Sequence, residues 1–124
     1  MNITKYFEYM LAAVIGLDGD IHVNLPLHEV PQEYVITGHV KPNITSLQAL
    51  VYSNDGLWYP QPVVKLTGNT FTANVVFGNG IYDESHKFYL VVLIGNAGYI
   101  TTPISSLPES VIMSKLIPIC KKAS

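Results

Sequence analysis

The chain has 124 residues, 48% apolar and 13% charged, with a formal net charge of −2. That length holds one domain with a single sizeable core, and the apolar fraction excludes a disordered chain. All seven cationic side chains are lysines; without guanidinium forks the usual means of gripping phosphate backbones is missing, so nucleic acid is not expected as a partner.

At the amino terminus Ile3, Phe7, Met10, Val14 and Leu17 recur at spacings of four and three, which places them on one stripe of a helix. Asn2 can cap its start and Gly16 its end, so the spacing predicts an amphipathic helix over residues 3–15. The chain divides accordingly into a helical segment, 1–17, and a β domain, 18–124. Only Lys5 supplies charge ahead of the apolar run and Glu8 interrupts it, which argues against a targeting signal. The run from Tyr9 to Leu17 is far short of the ~20 residues that span a bilayer. The single Cys120 excludes an internal disulfide and fits a reducing compartment, so cytoplasmic residence is the expectation, with secretion or a place in a virion as the alternatives.

After Leu17-Asp18-Gly19-Asp20 the period changes to two. Ile21, Val23, Leu25 and Leu27 alternate with His22, Asn24, Pro26 and His28, the pattern of a half-buried strand. A second strand places Tyr34, Ile36, Gly38 and Val40 inward, with Val35, Thr37 and His39 outward. The third runs from about Ser46 to Ser53 and meets the turn signal Asn54-Asp55-Gly56, and the fourth continues to Leu66. In the fifth, Phe71, Ala73, Val75 and Phe77 face inward; the sixth spans roughly Lys87 to Ile94. Residues 97–110 read as loop, Val111 to Leu116 as loop or helical turn, and a last strand lies near Leu116 to Lys121. About seven short strands with regular turn signals predict an all-β, immunoglobulin-like two-sheet sandwich of antiparallel strands.

Val35-Ile-Thr-Gly-His-Val40, Leu57-Trp-Tyr-Pro-Gln61, Phe71-Thr-Ala-Asn-Val-Val-Phe-Gly78 and Phe88-Tyr-Leu-Val-Val-Leu93 stand in this order along the chain. The series resembles a class of small bacterial β-sandwich accessory domains, in which G-x-V, W-Y/W-P-Q and F/W-x-x-x-V-x-x-G follow one another. The resemblance covers about residues 21–121. It implies an architecture akin to immunoglobulin and fibronectin type III modules and a non-enzymatic role, and it carries over no catalytic residues.

Pro60 and Pro62 cannot donate to a ladder, which predicts that the fourth strand lies at a sheet edge. Pairing Ser53 with Trp58 sets Tyr52 opposite Tyr59 and Leu50 opposite Gln61; Trp58 then points into the core and Tyr59 outward. In that register Leu50, Tyr52, Tyr59, Gln61 and Val63 share the outer face, beside Tyr89, Val91 and Leu93 of the sixth strand. The other sheet turns His22, Asn24, His28, Thr37, His39, Thr70, Thr72 and Asn74 to water. A face apolar on both sides needs a cover, since burying ~500 Å² is worth on the order of 10 kcal/mol before ordering costs. The cover is either the helix, through Phe7, Met10 and Val14, or another protein chain.

The polar candidates carry less. His22 and His28 are about 20 Å apart along one strand and cannot share an ion. His22 opposite His39 offers two imidazoles with no evident third ligand, and solvated surface histidines are the expected reading; no metal site is assigned. Asp83, Glu84 and His86 form a solvated loop cluster, and Cys120 beside Lys121 and Lys122 is read as structural. Serine-nucleophile signatures, phosphate-cradling loops and paired zinc ligands are absent from the sequence, so neither an enzyme nor a cofactor is expected. The expected function is a protein–protein interaction or assembly module, in contact with a partner or a copy of itself. The alternatives are a carbohydrate- or surface-binding module, or a virion or filament subunit; a small-molecule ligand is not expected.

Overall fold

In the computed structural model, residues 19–26, 29–78, 87–109 and 111–122 are described. The helix expected over residues 3–15, and with it Phe7, Met10 and Val14, lies outside them, as do Leu27, His28, Asp83, Glu84 and His86. The described residues form nine strands: β1 (Ile21–Val23), β2 (Glu33–Val40), β3 (Leu47–Tyr52), β4 (Trp58–Val63), β5 (Lys65–Thr67), β6 (Thr70–Val76), β7 (Phe88–Gly95), β8 (Ile112–Met113) and β9 (Ile117–Cys120).

Strict alternation shapes the first sheet, ordered β1-β2-β6-β5. In β6 every second residue is buried, and in β2 every second residue is buried after the half-buried Tyr34, so Ile36, Val40, Phe71, Ala73 and Val75 point into the core while Thr37, His39, Thr70, Thr72 and Asn74 meet water. The second sheet has the order β4-β3-β7-β8, with β9 also pairing β7. Here alternation is lost because both faces are apolar: all six residues of β3, and every residue of β7 after Phe88, are buried. All paired strands run antiparallel. The inner faces of the two sheets meet in one core that joins Ile36, Phe71 and Val75 to Ala49, Val51, Tyr89, Val91, Leu93 and Ile119.

Three details correct the strand reading. The first strand stops early: Leu25 is 88% exposed, beyond the last ladder pair and ahead of Pro26, which has no N–H to extend it. The fourth strand divides at Val64, whose N–H donates to the Leu47 carbonyl at 3.3 Å before the chain crosses into the first sheet as β5. Residues 111–116 hold the short strand β8 rather than a helical turn.

Gly38 is where the sheet is tightest. A Cβ there would stand 2.1 Å from the His22 carbonyl oxygen and 2.6 Å from the Phe71 ring. The aromatic ring lies over the glycine directly opposite it in register, which explains a glycine in mid-strand.

Candidate interaction surface

The β3–β4 hairpin closes one residue tighter than expected. Gly56 N–H donates to the Ser53 carbonyl and Ser53 N–H to the Leu57 carbonyl, both at 3.1 Å, and Gly56 has φ 84°. This is a three-residue loop ending in a left-handed glycine. Asp55 Oδ1 accepts from Leu57 N–H at 3.0 Å and fixes it. The pairs are therefore Tyr52 with Trp58, Val51 with Tyr59 and Leu50 with Pro60. A one-residue slip exchanges the faces. Trp58 lies on the outer face beside Tyr52, ring centroids 5.0 Å apart, and Tyr59 turns toward the inner side.

A bulge between Gln48 and Leu50, where β4 spends two residues against one, restores the expected register at Gln48 and Val63. β4 is the edge strand that its prolines require. The β3–β7 register, Val51 with Val91 and Leu50 with Val92, puts Tyr89, Val91 and Leu93 in the inner core and Leu90, Val92 and Ile94 on the outer face, opposite to expectation.

Among the described residues the outer face is covered by a third element, the stretch that follows β7. Leu50, Tyr52, Trp58, Leu90, Val92 and Ile94 are buried beneath Ala97, Ile100, Ile104, Leu107, Val111 and Leu116, from the stretch that reads as loop. This strap is pinned along its length. Asn96, at φ 53°, accepts through Oδ1 from Thr45 N–H at 2.8 Å and donates through Nδ2 to the Asn43 carbonyl at 2.7 Å. The Gln48 side chain imitates a strand: Oε1 accepts from Ile100 N–H and Nε2 donates to the Ile100 carbonyl, each at 2.8 Å, with a further bond to the Gln61 carbonyl at 3.2 Å. Trp58 and Ile104 exchange backbone bonds at 2.8 and 3.0 Å, and Ser114 Oγ accepts from Leu93 N–H at 2.9 Å. The sequence signal for the strap was present: apolar residues at 97, 100, 104, 107, 111 and 116 recur through a stretch rich in Ser, Thr and Pro.

With that face closed, the residues singled out from sequence separate. Leu50, Tyr52, Tyr89, Val91 and Leu93 are interior, and Val63 is 59% exposed on the edge strand. Tyr59 and Gln61 line a cleft of about 440 Å³ between the sheets. Val51, Pro60, Val76 and Tyr89 provide apolar wall, Ser53, Asn54 and Asp55 a polar rim, and Gly78 lies at one side. Gln61 ties the walls together, its Oε1 accepting from Val76 N–H at 2.9 Å and its Nε2 donating to the Tyr59 carbonyl at 3.2 Å. The Tyr59 hydroxyl donates to the Asp55 carboxylate. That hydrogen bond, then slight desolvation and the carboxylate's charge, raise the Tyr59 pKa above the usual tyrosine value.

Among the described residues no helix is long and apolar enough to cross a membrane, and no three or more His, Cys, Asp or Glu side chains gather as a metal site. No protein-family model matches the chain, and neither a curated protein nor a solved structure matches it significantly.

Proposed function

We propose that the chain is an immunoglobulin-like β-sandwich accessory domain that works by protein–protein contact, as an adaptor or assembly subunit, and that its contact surface is the cleft beside Tyr59. The observation that carries this reading is the make-up of the cleft. Its volume of about 440 Å³ falls within the range, about 300–1,000 Å³, of cavities that receive a ligand or an inserted side chain. An apolar floor, a polar rim and a tyrosine held in place by a carboxylate are what a partner's anchoring side chain needs. Tyrosine is favoured at such sites because its ring is apolar and its hydroxyl polar.

A photo-crosslinking residue at Gln61 tests this in cells. The reading expects adducts with one protein species, or with a second copy, that are not formed from the same group at Thr72 on the solvated face. Equal adduct patterns from both positions contradict it.

The paired Tyr59 hydroxyl and Asp55 carboxylate at the rim favour a second reading, a carbohydrate-binding module. Trp58 is wholly buried and cannot report on that. Sugar titration followed through the Tyr59 ring resonances decides between the two, since the protein-contact reading expects no sugar-dependent shift.

A further inference from the structure

Where β1 lies against β2, the outer face of the first sheet carries three cross-strand pairs in a row. Lys41 Nζ stands 3.5 Å from Asp20 Oδ1, and Asn24 Nδ2 donates to Thr37 Oγ1 at 3.0 Å. Between them His22 and His39 are directly opposite in register, their rings stacked with centroids 4.6 Å apart and planes 25° from parallel. The flanking pairs are complementary, charge with countercharge and amide with hydroxyl. The central pair brings together two imidazole rings, the side chain that most often ligates divalent transition metal ions.

We propose that His22 and His39 form a two-point chelate for a borderline divalent transition metal ion, of the Cu(II), Ni(II) or Zn(II) class. Imidazole suits these ions. Metal–nitrogen bonds of about 2.0–2.1 Å require the two donor atoms to come to about 3 Å of each other. Rings already stacked on adjacent strands reach this by rotating about χ2, a torsion that is broad for histidine. On each ring the second nitrogen can keep a hydrogen bond while the first binds the ion.

Among the described residues no third His, Cys, Asp or Glu joins the pair, so water completes the coordination sphere and the ion remains exchangeable. The bound ion bridges β1 to β2 and fastens a three-residue edge strand to its sheet. This site is independent of the cleft beside Tyr59.

The test titrates the full chain in neutral buffer with chloride salts of Cu(II), Ni(II), Zn(II) and Mg(II), by calorimetry and thermal melting. One ion per chain is expected, with Cu(II) tightest and Mg(II) not bound. His22→Gln and His39→Gln should each weaken binding by roughly 10–100-fold or more and remove the rise in melting temperature. Cys120→Ser, His28→Gln and His86→Gln should change neither. In the unaltered chain, Ni(II) should broaden the ring resonances of His22 and His39 before any others, a readout that does not depend on a variant's folding. Affinity unchanged in His22→Gln or His39→Gln, loss of binding in a control variant, or first broadening at other residues would each overturn the proposal.

Discussion

Gln48→Ala should loosen the strap without touching the core beneath it. Gln48 is only 7% exposed, and its amide makes three hydrogen bonds, two to the backbone of Ile100 and one to that of Gln61. At a net ~1 kcal/mol each, their loss costs about 3 kcal/mol; part is recovered where water reaches the freed backbone groups at the strap's margin, and part is added where it does not. For a domain of this size that lowers the melting midpoint by roughly 10 °C. Trp58, buried under Ile104, is the only tryptophan and reports locally: its emission should shift to the red and become quenchable by acrylamide before global unfolding. Gln48→Glu, with one acceptor pair and no donor, should behave similarly. An unchanged midpoint with unchanged Trp58 emission in Gln48→Ala would refute the view that this side chain holds the strap.

Other consequences are equally open to measurement. Gly38→Ala places a methyl carbon 2.1 Å from the His22 carbonyl oxygen, so β1 must shift away; a loss of about 3 kcal/mol or failure to fold is expected in a denaturant titration. The Tyr59 phenol should ionise later than an ordinary tyrosine in a spectroscopic pH titration, and Asp55→Asn should bring it back down. The sign follows from linkage: a folded pKa raised above the unfolded value of about 10 contributes stability that is present below that pH and lost as pH rises through the raised value. Replacing Pro60 with Thr restores an N–H to the open side of β4, and light scattering should then show concentration-dependent association that the parent chain does not.

The sequence made the first sheet legible because its two faces differ chemically. Alternation in β2 and β6 assigned Ile36, Phe71 and Val75 to the core and Thr37, His39 and Thr72 to water, and those assignments hold. The paired prolines likewise placed β4 at an edge. The second sheet was harder for the opposite reason. When both faces are apolar, period two no longer says which face is inner, and a hairpin loop counted one residue too long exchanged Trp58 and Tyr59. The face assignment of β7 inverted independently of that slip, since β7 pairs β3, whose outward Leu50 and Tyr52 hold, and its two apolar faces gave no sign of which is inner. That the outer face needs a cover followed from its chemistry. What covers it did not, because the recurring apolar residues of the strap sit in irregular backbone rich in Ser, Thr and Pro, held by side chains such as Gln48 and Asn96 whose bonds no pattern announces.

The pivotal claim is that the chain seals its own second apolar face, leaving recognition to the cleft. Amide hydrogen exchange on the dilute, monomeric chain tests it most directly. Ile100, Ile104, Trp58 and Ser114 should be protected nearly as well as the central strands, because the N–H of each donates between strap and sheet, that of Ile100 to the Gln48 side chain and the others to backbone carbonyls. Exchange at these amides as fast as in an unstructured peptide, with protection gained only on self-association or on adding a partner, would contradict the claim and return the outer face to its place as the contact surface.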